Sequence, residues 1–361
     1  MKYTGRILDA HTHVMEGAHG AEKLLQTEQA CGYSCCSALG APAWGGAAQN
    51  AQCLAVKLFR PDCYAFAGLH HGCGDFEAQC WRLADLGADG FKMIEGKPDV
   101  YRRIGVPLNA PYYDGLYRFA QENGFPILAH VGDPPEFWHE EKAPPFAVEN
   151  GWTYTDGSYP TLEALFAQVE DIADRYPRLS LILAHFFFHS HQMEQAAAFL
   201  DRHPGVCFDL CPGTEMYEAF SREPDKARAF FLRYQDRLLF GTDNWDTDDP
   251  QEVRDKREIN RMIHLFLQTD APFPVWDHEM RGIDLPVAVL EKIYEQNFRR
   301  LAGEKPRPLQ AARLAAHCRE ILKQPERFGA LPGDDARLQS VLDCLETRGL
   351  PPQKRNLEET T

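Results

Sequence analysis

Short apolar runs alternate with longer amphipathic stretches along most of the chain. A short apolar run bounded by turn residues reads as a buried strand. Apolar residues recurring every three or four positions read as a helix. On this basis strands are predicted over 6–11, 33–39, 63–69, 90–94, 126–131, 179–186, 206–210 and 238–242. Helices are predicted between and after them, over 21–30, 50–59, 76–86, 113–123, 161–176, 192–202, 225–234 and 287–301. Over 161–176, Leu162, Leu165, Phe166, Val169 and Ile172 fall on one side. Breakers agree with the boundaries: Gly124 and Pro126 follow one helix, Pro177 another, and Pro204-Gly205 a third.

Eight βα units in a row favour a closed barrel. A doubly wound open sheet would carry a glycine-rich phosphate loop after its first strand. Here that strand runs into His-Thr-His, and no GxGxxG or GxxxxGK[ST] opens a helix. The expected fold is α/β, a (β/α)8 TIM barrel over 1–304, with a C-terminal helical extension over 305–361 packed on it. Within that extension 309–322 and 335–345 read as helical, and the last residues as frayed. The segment 133–160, after strand five, is long and rich in Pro, Gly and aromatics, which suits a lid or a packed cover.

Composition narrows the function. The 361 residues fit a barrel of roughly 250 residues plus additions. Hydrophobic residues at 44% supply a core, which excludes disorder. A net charge of -15 without a Lys/Arg cluster argues against a nucleic-acid partner. No apolar run approaches the roughly 20 residues of a membrane span. The 11 cysteines are scattered without a CxxC pair, and no signal-peptide pattern opens the chain. A cytoplasmic enzyme with free thiols and a small-molecule substrate is expected, and the tail is compatible with a homodimer.

The chemistry begins at Asp9-Ala10-His11-Thr12-His13. Strand residues two apart share a face, so His11 and His13 present two imidazoles side by side, as a divalent ion requires. Three further apolar strands end in His130, His185 and Asp243. Barrel active sites are assembled from such strand ends. Lys92 lies in strand four, His70 and His71 end strand three, and Asp209 and Cys211 end strand seven. His189 and His191 follow strand six. The long segment carries Trp138, Trp152, Tyr154 and Tyr159, and Trp245 stands two residues past Asp243. His70, Trp138, Cys211 and Trp245 are taken as substrate-pocket candidates, with structural packing as the competing reading of each. No GxSxG elbow supports a serine nucleophile.

Asp9-Ala10-His11-Thr12-His13, Ala129-His130, Ala184-His185, Gly241-Thr242-Asp243 and Asn297-Phe298-Arg299-Arg300-Leu301 together resemble the amidohydrolase superfamily. The resemblance is to its second family, which includes aminocarboxymuconate-semialdehyde decarboxylase, and it spans residues 5–302. It implies one divalent metal held by His11, His13, His130 and Asp243, with zinc ahead of manganese, iron or cobalt. It implies Asp243 as general base and His185 as the group that polarises substrate or assists proton transfer. Some relatives carry a carboxylated lysine at the position of Lys92, bridging a second metal that His185 would also bind. The other readings pair Lys92 with Glu95, or with an anionic substrate group inside a one-metal site. The implied activity is hydrolysis of an amide, ester or lactone by metal-activated water. The alternative is non-oxidative decarboxylation of a carboxylated aromatic or muconate-like substrate, and a catalytically idle binding barrel is the third reading.

Overall fold

The computed structural model describes residues 2–348 apart from 16 and 18. The strands are β1 Leu8–His13, β2 Cys35–Leu39, β3 Tyr64–Ala67, β4 Gly90–Gly96, β5 Ile127–Val131, β6 Leu181–Leu183, β7 Val206–Asp209, β8 Leu238–Leu239 and β9 Asn244–Trp245. They form one parallel sheet in the order β8-β7-β6-β5-β4-β3-β2-β1-β9. Helices connect successive strands, as parallel pairing demands. β8 and β9 are two halves of one eighth strand. β8 pairs with β7, and β9 pairs with β1 through Thr12–Asn244 and His13–Trp245. Between the halves, the Ala10 N–H donates to Phe240 O at 3.0 Å and the Asp243 N–H to His11 O at 2.9 Å. The ring is thereby closed, and the expected α/β TIM barrel is present.

Strand residues alternate between two cores. Leu8, Ala10, Leu39, Tyr64, Phe66, Leu128, Ile182 and Leu239 pack together inside the ring. Ala38, Ala65, Phe91, Ile127, Leu181 and Phe208 pack outward, in the core shared with the helices. Phe298 of the Asn-Phe-Arg-Arg motif belongs to the inner core. Phe298 sets its ring 5.0 Å from that of Tyr64 and 5.7 Å from that of Phe66. Asn297 Nδ2 donates to Gln235 O at 2.7 Å and to Leu238 O at 2.8 Å, fixing this plug to the start of strand eight.

Three departures from the expected elements have physical causes. β6 stops at Leu183 rather than 186, because the backbone turns left-handed from His185 onward. Strand eight is followed by the helix Pro250–Gln268 and a hairpin of Pro272–Val275 with His278–Arg281. That helix starts at the Asp249 cap and Pro250, but its first turns are crowded with charge, which hides its apolar stripe. The predicted 287–301 helix follows as Val287–Glu291, a π turn Lys292–Gln296, and Asn297–Ala302.

The segment after β5 carries short helical turns and its own small core of Phe137, Ala147 and Tyr154. The tail helices Ala311–Lys323 and Asp334–Arg348 pack on each other, the second also lying on Gln49–Phe59. Asp334 Oδ2 accepts the Ala47 N–H at 2.8 Å. Residues 349–361, read from sequence as a frayed end, lie outside the described residues. Among the described residues no helix is long and apolar enough to cross a membrane.

Asn297→Ala strips one buried and one part-buried carbonyl of their donor and is expected to cost about 1–3 kcal/mol of stability, read by denaturant unfolding. An unchanged midpoint would show that Phe298 packing alone holds the plug.

Candidate metal centre

His11 and His13 sit at the end of β1 with 0% and 6% of their surface exposed. Thr12 between them faces away and donates to Ser37 O. His11 Nε2 lies 3.1 Å from His13 Nε2 and 3.4 Å from Asp243 Oδ1, and His13 Nε2 lies 3.3 Å from the same oxygen. Asp209 Oδ2 stands 2.8 Å from His11 Nδ1. An ionised carboxylate only accepts, so Nδ1 carries the proton and Nε2 turns a lone pair toward Asp243. His13 Nδ1 is buried without a partner. Burial pushes both imidazoles below their ordinary pKa, which keeps them neutral. Asp243 is the anionic member of the set, its carboxyl held well below its usual range despite burial. Two neutral nitrogens and one anionic oxygen converging on a point is a donor set that suits a divalent cation.

The other strand ends crowd around this triangle. Lys92 Nζ is 3.3 Å from His11 Nε2, and Lys92 is 1% exposed. Glu95 does not pair with it; Glu95 Oε1 meets His71 Nε2 at 2.9 Å instead. His130 directs Nε2 at Gly132 O (2.9 Å) and Asp133 Oδ1 (3.2 Å). A carbonyl only accepts, so Nε2 bears the hydrogen and Nδ1 is the nitrogen left to bind an ion. His130 is thus not one of the three residues that converge most closely, though its ring lies 4.9 Å from that of His185. Asp133 is held ionised, by Lys97 at 2.7 Å and by the His130 bond, despite its burial. The Tyr154 hydroxyl donates to the same carboxylate from the long segment.

His185 opens a turn in which four consecutive residues, His185 to Phe188, have φ between 52° and 56°. Left-handed backbone costs roughly 1–2 kcal/mol per L-residue. Phe186 and Phe187 offset that strain by burying their rings, and the His185 N–H donates to Asp209 Oδ1 at 2.8 Å. The turn brings the His185 ring to 5.6 Å from that of His11. Burial pushes its pKa down to about 4. Asp243 is also left-handed, at φ 59°. Strain of this kind gathers at functional positions.

Two carboxylates organise the rest. Asp209, at the end of β7, ties His11 to the His185 turn. Asp9 Oδ1 accepts the N–H groups of His11 (3.0 Å) and Thr242 (3.1 Å), and Oδ2 accepts the Thr242 hydroxyl. Neither was singled out as a positioning group from sequence, although each is a polar residue interrupting an apolar strand. Gly241 completes the seam, since a Cβ there would stand 3.0 Å from both His11 Cβ and Cys211 Sγ.

The pocket candidates fare unevenly. Cys211 is fully buried beside His11 and Asp209. His70 is corrected: it lies under the tail, Nδ1 on Phe328 O and Nε2 on Asn50, with no nitrogen to spare for substrate. Trp138 donates to Pro160 O and packs edge-on against Tyr154, inside the core of its own segment. Trp245 is 38% exposed, with the Lys256 ammonium over its ring. His189 packs between Phe166 and Phe187.

The sequence model of the amidohydrolase family matches residues 45–303. The chain belongs to the amidohydrolase family. The match begins beyond β1, so the His11–His13 pair of this amidohydrolase stands on its geometry. Its fold is shared with an uncharacterized TIM-barrel protein from Bordetella bronchiseptica, at 16% identity and TM-score 0.52, over 82% of this chain and 99% of that one. A 4-oxalomesaconate hydratase from Rhodopseudomonas palustris is similar at 16% identity and TM-score 0.52, over 89% and 99%. IDCase from Metarhizium anisopliae is similar at 15% and 0.50, over 82% and 97%. At these identities the likeness is one of fold. No curated protein matches the chain. In this amidohydrolase a pocket of about 100 Å³ opens beside His185, walled by Pro134, Glu136, Phe188, Met216 and Arg222.

Asp209→Asn removes the charge that orients His11. It is expected to weaken zinc binding about 10- to 100-fold, measured by competition with a chromophoric chelator. Wild-type affinity in the variant would remove Asp209 from the support of the ion.

Proposed function

We propose that this amidohydrolase is a metal-dependent hydrolase that cleaves a C–N or C–O bond, in an amide, ester or lactone of a small molecule. The observation that carries this reading is the convergence of His11 Nε2, His13 Nε2 and Asp243 Oδ1 within 3.1–3.4 Å of one another at the strand ends. His130 Nδ1 is the natural fourth donor. The ion is zinc in the first instance, with manganese, iron and cobalt accepting the same donors. When bound, such an ion polarises a substrate carbonyl and lowers the pKa of water toward neutrality. Asp243, ionised and 37% exposed toward the barrel mouth, takes the proton of the attacking water and delivers it to the leaving group. His185 faces the same space as a neutral ring able to donate one N–H to developing negative charge.

Lys92 supports a second reading. A buried cation 3.3 Å from His11 can hold a substrate carboxylate, which is what a decarboxylase acting on a carboxylated aromatic or muconate-like acid needs. A carboxylated Lys92 would instead bridge a second ion, with His185 as a further ligand.

Elemental analysis of protein purified without added metal separates these cases. About one equivalent per chain, lost in His11→Ala, is the expected result. Two equivalents would bring in Lys92 and His185, and none after reconstitution would overturn the reading. With a hydrolysable substrate found by screening, Asp243→Asn is expected to lower turnover about 100- to 10,000-fold. Carbon dioxide release from carboxylated aromatics, without hydrolysis of any ester, amide or lactone, would replace hydrolase by decarboxylase.

A further inference from the structure

The pocket of about 100 Å³ beside His185 carries more negative charge than the protein neutralises. Glu136, Glu215 and Glu218 line it, against the exposed residues Arg222 and His191. Glu218 is already paired: His278 Nδ1 meets its Oε1, and Arg222 Nη2 approaches its Oε2 at 4.0 Å. Glu136 and Glu215 enter no ion pair among the described residues. Glu215 stands in the first turn of the helix Thr214–Arg222 and folds its carboxyl back over Gly213, where a Cβ would lie 1.9 Å from Oε1. The carboxyl takes its own backbone N–H and no cation. Desolvation by the surrounding protein, with Glu136, Glu218 and Asp133 nearby, pushes its pKa up to about 7. The residue as a whole is exposed, so the group stays within reach of the cavity.

Ser190 is an independent sign of a ligand. It lines the same pocket with 7% of its surface exposed, and its hydroxyl has no partner among the described residues. A polar group so placed ordinarily has one. Glu136 Oε2 is enclosed and unmet, which leaves Oε1 to face a ligand; the Ser190 oxygen is not sealed in this way. The missing partner is a donor with positive charge. A metal ion does not suit, because among the described residues the side chains that converge closely enough to ligate one are those around His11. A protonated primary amine does suit. It has three N–H bonds and no acceptor, and it meets two anionic oxygens and a hydroxyl.

We propose that this pocket takes a protonated primary amine of the substrate, held by Glu215, Glu136 and Ser190, while the bond to be cleaved lies at the metal centre beyond His185. This rests on the hydrolase reading and narrows its substrates to amides or esters that bear a free amino group.

Isothermal titration of the metal-loaded full chain with benzylamine, protonated at neutral pH, tests this without turnover. Saturable binding is expected in the wild type. Benzyl alcohol, of similar shape and uncharged, is expected to bind about tenfold more weakly, as is benzylamine to Glu215→Gln and to Glu136→Gln. Binding is expected to persist in His11→Ala, because the ammonium does not sit on the ion. Absence of binding at millimolar benzylamine would mean a water-filled pocket and would overturn the proposal. Equal binding of benzyl alcohol, undiminished binding in both glutamine variants, or loss of binding in His11→Ala would overturn it equally. Metal content of the same samples keeps the two readings apart. Amine binding by a chain that holds no metal after reconstitution would support the pocket and sink the hydrolase. One bound ion without amine binding would sink the pocket alone.

Discussion

One enclosed carboxylate, that of Asp9, accepts two backbone N–H groups and a hydroxyl across the seam between the first and last strands. A carboxylate with no exposed surface is tolerable only when its oxygens are met in this way. Burial still raises its pKa to about 7, against the lowering effect of those bonds. Glu28 stands behind the seam, buried and bonded to Asn244 of β9 at 2.7 Å. The seam decides where His11, His13 and Asp243 stand, because the two strands it joins supply all three. A glycine at 241 is the steric condition for the approach, and the left-handed backbone at Asp243 follows from breaking the eighth strand there.

Around the seam the protein repeats one device. A carboxylate grips one nitrogen of an imidazole and so fixes the lone pair on the other: Asp209 does this for His11, and Asp133 for His130. Each gripping carboxylate also has a second attachment. Asp209 holds the backbone of the His185 turn, and Asp133 holds Lys97 and Tyr154. The orientation of the imidazoles is thus coupled to a strained turn on one side and to the aromatic cover on the other. Strain in the turn is sustained by the packing of Phe186 and Phe187, which rests on the outer core rather than on the site.

The strand and helix pattern was legible because parallel strands buried on both faces read as apolar runs and their helices as amphipathic stretches. The His11–His13 pair was legible because a strand has period two. His130, His185 and Asp243 could be seen because a polar residue closing an apolar run stands out. The orientations of His11 and His70 could not, since the partners that set them, Asp209 and Phe328, lie far along the chain. The turn at His185 was invisible for another reason. Its left-handed residues include no glycine or asparagine, and only the burial of two phenylalanines explains it. The helix Pro250–Gln268 was missed because its exposed charge outweighs the stripe of Met262, Ile263, Phe266 and Leu267.

The break in strand eight has a consequence for biosynthesis. The imidazole half of the cradle, at the end of β1, leaves the ribosome seven strands before the carboxylate half. Until Gly241, Thr242 and Asp243 emerge, β1 is an open edge on that side and Asp9 lacks the Thr242 hydroxyl. A nascent chain shorter than this has no complete cradle in which to capture an ion. On the proposed metal-dependent reading, ion uptake would report that the barrel has been translated through its last strand, and a prematurely terminated product would remain metal-free.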